Sequence, residues 1–353
     1  MNTNKTINCQ VIRGGENSLN LIRLLAAMQV MYGHTLKHLH LEAIPLLHEF
    51  INFFHGVPIF FTLSGFLIWG SIGRSSSFRQ YVCKRFWRIY PELWVAVAIE
   101  LLVLLALYDS PIDWPLFGLF AICQSTILNF WTPDCLRGYG CGCPNGALWT
   151  ICVLIQFYIL AYWLYKVLHN SNVFRWTIAF VFALVLSIAC SYTTEYIPEN
   201  IGKLLNQTIV PYLWIFIVSS FVAEYKDEFL PWLKKYWLQI AMVLIVIRHF
   251  HLDIEASYRV CDTTMLFLCV VGMAYRLPFL NIKTDISYAI YIYHMTVVNV
   301  LLQLGYTKNS IHMAIVFATT CILAYISTET IGKWALKRKN RTNKTVSAST
   351  MYS

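Results

Sequence analysis

Charge is what this chain has least of. Of its 353 residues only 13% are Asp, Glu, Lys or Arg and 58% are hydrophobic, where soluble domains carry about 25% charged residues. An ordinary water-soluble domain is excluded. No polar segment of domain size interrupts the apolar runs, and no internal repeat is visible. One membrane-embedded unit therefore has to hold whatever chemistry there is. Acidic residues are the scarcer kind, 18 against 27 Lys and Arg, for a net charge of +9. The basic residues sit mostly between apolar runs, which points to membrane topology and not to nucleic-acid binding. Eleven cysteines would suit a disulfide scaffold, but Cys123, Cys152, Cys190, Cys269 and Cys321 lie inside apolar runs, as small core residues do. His249, His251, Asp253 and Glu255 match no closed zinc pattern and read as a solvated rim, so no metal is expected.

Apolar stretches over 19–40, 54–72, 91–108, 114–131, 148–168, 174–192, 207–224, 236–250, 260–276, 285–304 and 310–335 are candidate spans. The first lacks a small-residue cleavage site and is taken as a retained helix, not a signal peptide. Loop charge arbitrates the count. Arg74, Arg79, Lys84, Arg85 and Arg88 form one basic cluster, and Lys333, Lys337, Arg338, Lys339, Arg341 and Lys344 another. Both should face the cytoplasm. Eleven spans would put them on opposite sides, so one stretch must fail. The weakest is 114–131, which opens on Trp114-Pro115 and carries Gln124, Ser125, Thr126 and Asn129. Reading it as re-entrant or interfacial leaves an all-α bundle of ten helices with both termini inside. About 21 of the 27 basic residues, Lys5, Arg13 and Lys283 among them, then lie on the inner side. Lys37, Arg137, Lys203, Arg248, Arg259 and Lys308 remain outside. Residues 1–18 read as a cytoplasmic tail, 19–336 as the membrane domain, and 337–353 as a basic, disordered tail.

Ionisable residues inside spans are costly and are functional candidates. Arg23 and His34 are eleven residues apart on the first helix, just over three turns, so they share a face about 16 Å apart along the axis. A permanent cation at the inner mouth and an imidazole deeper on the same stripe suit a substrate with an anionic head and a reactive far end. A snorkelling Arg and a buried His satisfied by another helix would look the same. In Lys84-Arg85-Phe86-Trp87-Arg88-Ile89-Tyr90-Pro91, Arg85 and Arg88 share a helical face and could grip phosphates, or anchor inner-leaflet lipid. Gly56, Ser64 and Gly65 would let helices approach closely.

Five fragments in order carry a resemblance: Arg23-x10-His34; Phe60–Ile68 with Ser64-Gly65-Phe66; Arg85-x-x-Arg88-Ile89-x-Pro91; Leu148-Trp149-Thr150-Ile151 leading to Gln156-Phe157-Tyr158; and Ile286-Ser287-Tyr288-Ala289-Ile290-Tyr291 ending in His294. Over about residues 17–336 the chain resembles the acyltransferase-3 family of bacterial integral-membrane O-acyltransferases. The resemblance implies a ten-helix enzyme of the bacterial cytoplasmic membrane. It would take an acyl group, usually acetyl from acetyl-CoA, and deliver it to a hydroxyl of a cell-envelope glycan or its lipid-linked precursor. Acyl-CoA, the glycan acceptor and membrane lipids are the implied partners, with no permanently bound cofactor. Arg23 and His34 fall on the family's basic-x10-His motif, Arg85 and Arg88 on its paired arginines, and Glu329 where such proteins often end their last helix with Glu. Members commonly carry an acidic residue about five positions after Trp149, whereas Leu154 and Ile155 stand here. Glu329 or Glu100 could substitute.

On this reading His34 is the general base for the acceptor hydroxyl, or the nucleophile in an acyl-imidazole variant. Arg23, Arg85 and Arg88 hold the phosphates of the donor. Ser64, Trp149, Tyr291, His294 and Glu329 are supporting or substrate residues. Ser287, Tyr291 and His294 share a stripe. For His294 a core histidine bonded to another helix is the plainer reading, and contact with the acceptor or support of the site is the alternative. In the outer loop, Cys135, Cys141 and Cys143, with Cys261, could form two disulfides. A glycan flippase would share the helix count but carry no acyl donor, and a non-catalytic assembly partner is a third reading. Inverted repeats of the transporter kind are not apparent.

Overall fold

The computed structural model describes residues 17–280, 282 and 284–341. Lys5, Arg13, Lys283, Lys344 and most of both tails lie outside them. Among the described residues the regular structure is entirely helical: α1 (Leu19–His38), α2 (Pro45–Asn52), α3 (Gly56–Gly73), α4 (Phe78–Leu107), α5 (Trp114–Gln124), α6 (Trp149–Leu168), α7 (Val173–Tyr196), α8 (Glu199–Leu205), α9 (Leu213–Glu224), α10 (Lys226–His249), α11 (Val260–Arg276), α12 (Ser287–Gln303) and α13 (Ile311–Ser327). Six helical segments, those holding α3, α4, α6, α7, α10 and α13, are long and apolar enough to cross a membrane unaided. A seventh, α8 with α9, is bent by 53°. The break falls at 206–209, and Gln156 on α6 satisfies the backbone there, donating to the Gln207 carbonyl at 2.8 Å and accepting from Ile209 N at 3.0 Å. That is how an interrupted helix is tolerated in a bilayer. α1 owes its lower apolarity to Arg23, His34, Lys37 and His38, while α11 and α12, at 17 residues each, are about 25 Å long. With these three the long helices number ten. The protein is a polytopic helical membrane bundle.

The stretch expected to fail does fail: α5 has 11 residues, about 16 Å of helix, too short to cross. The two inner basic clusters do share one end, because the rings of Trp87 and Trp334 meet at 5.6 Å. Three boundaries differ from the sequence reading. α4 starts at Phe78, thirteen residues before Pro91, capped by the Ser77 hydroxyl accepting from Gln80 N at 3.2 Å; the basic run is thus helical. A short helix, α2, precedes α3 and exposes Leu46, Leu47 and Phe50. Finally, α13 continues through a π-turn at Thr328–Gly332 and stays helical to Arg341, so the start of the expected disordered tail is ordered.

Two close approaches set the packing around the centre. A Cβ on Gly65 would come within 2.0 Å of Ser219 Oγ, so only glycine lets α3 lie against α9. The outer loop after α5 folds back into the bundle: Gly140 takes a left-handed φ of +54° beside Asn299, whose side chain accepts from Cys141 N at 2.9 Å and donates to the Cys143 and Pro144 carbonyls. One core cluster unites α1, α4, α12 and α13 through Ala27, Met31, Leu93, Val97, Ile290, Tyr293, Val316 and Ala324.

Candidate active site

α1 and α12 pack side by side and are tied by polar links at two depths. At the inner end, Arg23 Nη1 donates to Asp285 Oδ2 at 2.5 Å, and Arg88 Nη2 from α4 reaches the same oxygen at 3.0 Å. The other carboxylate oxygen accepts from Ser287 N at 3.1 Å and Ser287 Oγ at 2.5 Å. Asp285 therefore caps the start of α12 while neutralising part of two guanidinium charges. Burial alone would raise its carboxyl, but Arg23 and Arg88 outweigh that and hold it well below the usual carboxylate range.

About three turns deeper, His34 Nδ1 lies 2.9 Å from His294 Nε2, with the rings stacked at 5.1 Å. His294 Nδ1 is 3.2 Å from the Ile290 carbonyl. A carbonyl only accepts, so His294 Nδ1 carries the hydrogen and its Nε2 the lone pair. His34 Nδ1 must then donate, which leaves the lone pair of His34 on Nε2. His294 is fully buried, and its two ring nitrogens are both used. His34 keeps partial exposure and has one nitrogen unengaged by this chain of bonds. His38 lies edge-on to it at 5.9 Å.

Between the levels is a cavity of about 80 Å³ lined by Arg23, Phe60, Ser64, Arg88, Thr150, Tyr158, Tyr288 and Tyr291, among others. Tyr291 closes its far side, its hydroxyl 2.7 Å from Thr150 Oγ1 and its ring 5.8 Å from that of His294. The cavity therefore runs from two guanidiniums to the wall beside the histidine pair. Its cationic end suits an anionic group, and the histidine pair stands behind Tyr291, outside the lining.

The residues proposed from sequence are thus partly united. Arg23, Arg88, Ser64 and Tyr291 line one cavity, and His34 and His294 lie just beyond it. Arg85 does not line it: Nη2 donates to Ser71 Oγ at 2.6 Å and its guanidinium sits over Tyr81 and Tyr158. Trp149 turns away, against Phe61 and Tyr212, and lines a separate outer groove. Glu329 pairs with Lys333 on its own helix and does not line the cavity, nor does Glu100, buried on α4. Leu154, where an acidic residue was looked for, contributes apolar wall. Sequence reasoning missed Asp285. Its signal was an acidic residue two places before Ser287, at the first position of the candidate span 285–304, at the end assigned to the same side as the arginines. Cys135, Cys141, Cys143 and Cys261 are free thiols, so the expected outer disulfides are not formed. Asn299 and the loop's own backbone hold that segment instead. His249 and His251 are exposed, as expected of a rim.

The comparisons with known proteins agree with this architecture. The chain is similar to "Nodulation protein 10" of Rhizobium leguminosarum bv. viciae, 29% identical over 84% of this chain and 86% of that protein. It is similar also to "O-acetyl transferase" of Shigella phage Sf6, 26% identical over 92% of this chain and 97% of that protein. No solved structure matches. The family model described as "Acyltransferase domain" matches residues 16–329, nearly the whole membrane unit with both links between α1 and α12, and the chain belongs to this family of acyltransferases.

Proposed function

We propose that this O-acyltransferase moves an acyl group, acetyl in the simplest case, from acyl-CoA to a hydroxyl of a cell-envelope glycan or its lipid-linked precursor, at the bacterial cytoplasmic membrane. The observation that carries the reading is the hydrogen-bond chain Ile290–His294–His34, which leaves a lone pair on His34 Nε2, with the ring of His294 5.8 Å from that of Tyr291 in the wall of a cavity whose other end is cationic. The acceptor hydroxyl gives its proton to His34 Nε2 as its oxygen attacks the thioester carbonyl. The tetrahedral adduct expels the thiolate, which takes the proton back from His34. His294 acts through His34: by accepting from Nδ1 it holds the tautomer that the transfer needs and stabilises the imidazolium that forms. Arg23 and Arg88 hold donor phosphate and set how far the thioester reaches.

Purified protein incubated with acetyl-CoA labelled in the acetyl group, with the mass of the envelope glycan compared with and without the gene, tests the reading. Label should pass to glycan, and the glycan should lose about one acetyl per repeat when the protein is absent. Label retained on coenzyme A, with glycan mass unchanged, would exclude donor and acceptor as stated.

A further inference from the structure

The three arginines read together from the sequence are not equivalent in the fold. Arg23 and Arg88 share the carboxylate of Asp285, whereas Arg85 makes no ion pair among the described residues. Its Nε is buried and has no hydrogen-bond partner. Beside it, Lys84 spends its ammonium hydrogens on Arg74 O at 3.0 Å, Ser75 Oγ at 2.9 Å and Gln80 Oε1 at 3.3 Å, again without an acid.

A third cation joins them from the far end of the chain. Beyond its π-turn α13 runs antiparallel to the first half of α4. Ser327 Oγ meets Glu92 Oε1 at 3.4 Å, Gly332 lies against the same carboxylate, and Trp334 meets Trp87 at 5.6 Å. Five residues past Trp334, this register brings Lys339 to the level of Lys84 and Arg85. The helix presents the side chain that way. Lys337, Arg338, Asn340 and Arg341 are exposed, whereas Lys339 is half-buried and follows buried Ala335 by one turn. Like charges brought together in a partly dehydrated rim repel one another, and among the described residues no carboxylate pairs with these. A multiply charged anion would.

We propose that Lys339, carried by the helical extension of α13, completes with Arg85 a second phosphate site, separate from the Arg23–Asp285–Arg88 mouth, which takes the phosphate monoester of the acyl donor. Lys84, its hydrogens already engaged, supplies charge and not contact. The inference rests on the reading of acyl-CoA as donor. It makes the basic segment after the last span part of the donor site, not a topological signal alone.

The test uses calorimetric titration of the full-length protein, in discs of zwitterionic lipid, with coenzyme A and with 3′-dephospho-coenzyme A. Binding of coenzyme A should weaken about tenfold in Lys339→Ala and recover in Lys339→Arg, while dephospho-coenzyme A binds wild type and Lys339→Ala alike to within about twofold. Equal weakening of both ligands, or of neither, would overturn the assignment. A phosphate-bearing lipid headgroup has the same chemistry. If Lys339→Ala leaves coenzyme A binding intact and phosphatidic acid raises the melting temperature of wild type but not of the variant, the site belongs to lipid and the donor assignment is wrong. Failure of wild type to bind either ligand would remove the donor reading itself, and this site with it. A melting curve for each variant separates loss of the site from loss of the fold.

Discussion

α1 and α12 are joined twice, and the two joints are built from opposite chemistry. The inner one is an ion triad at the rim, with side chains of Arg23, Asp285 and Arg88 retaining 22%, 12% and 39% of their exposure. The deeper one is a neutral relay of two imidazoles and a carbonyl, closed off at His294, which has none. Charge is affordable where water and an anionic ligand can reach it, while a buried ion pair repays its dehydration only with excellent geometry. A neutral hydrogen-bond chain meets no such penalty and still transmits a preference, because fixing the hydrogen on one nitrogen fixes the lone pair on the next. The inner joint is therefore suited to answering a ligand and the deeper one to presenting a base in a single protonation pattern.

The sharpest break in that contrast is His34→Ala. With the base removed and the inner triad untouched, kcat should fall by about 10²–10⁴ while coenzyme A still binds as to wild type, as titration would show. Retention of wild-type turnover would leave the imidazole without a catalytic role. Next come two substitutions of His294. Ala removes the acceptor for His34 Nδ1 and should cost roughly one to two orders of magnitude in kcat, whereas Gln keeps a carbonyl oxygen able to accept from that nitrogen and should recover part of the loss. Equal loss in both, with an unchanged KM for donor, would reduce His294 to a packing residue.

The inner joint responds differently. In Asp285→Asn the two guanidiniums lose their shared counter-charge and the fixed edge that turns them toward the cavity. Donor KM should rise by about tenfold with a smaller change in kcat, and stability should fall by about 1–3 kcal/mol, the value of hydrogen bonds to charged groups, with the half-exposed Arg88 contributing least. A fall in KM would mean instead that Asp285 competes with the donor for the arginines.

How much of this was readable in advance follows from the range of each interaction. Arg23 and His34 lie on one helix, so their shared face and separation come from 3.6-residue periodicity. The failure of 114–131 came from charge sidedness, a property of the whole chain that a short helix such as α5 cannot hide. Asp285 was missed because its meaning depends on Arg23 and Arg88, 262 and 197 residues away, and nothing local marks an acidic cap as a bridge. Grouping Arg85 with Arg88 was sound as helix geometry and wrong as site geometry. Sharing a face at i, i+3 does not decide which neighbour each guanidinium meets, and here Ser71 takes one and Asp285 the other. Lys339 carried no signal beyond composition, since a basic stretch after a last span reads as a tail until a helix is seen to dock there.

The smallest expected effect is also the one that separates the two joints by pH. Arg23 and Arg88 hold the Asp285 carboxyl below the range it has in an unfolded chain, despite the opposing effect of burial. Its contribution to stability is then complete above the unfolded value of about 3.9, and is lost only as pH falls through the lower, folded value. The gap in melting temperature between wild type and Asp285→Asn should stay constant from about pH 8 to about pH 5, begin to close below about pH 4, and vanish only at the lower, folded value, where the wild-type carboxylate also loses its charge. Turnover is set apart from that gap, because His34 Nε2 takes no part in the triad, so any loss of turnover between about pH 8 and about pH 5 should leave the gap unmoved. Were gap and turnover to change together near neutrality, the inner joint would be titrating with the catalytic histidine, and the division of the helix pair into a charged, ligand-answering end and a neutral, base-presenting end would fail.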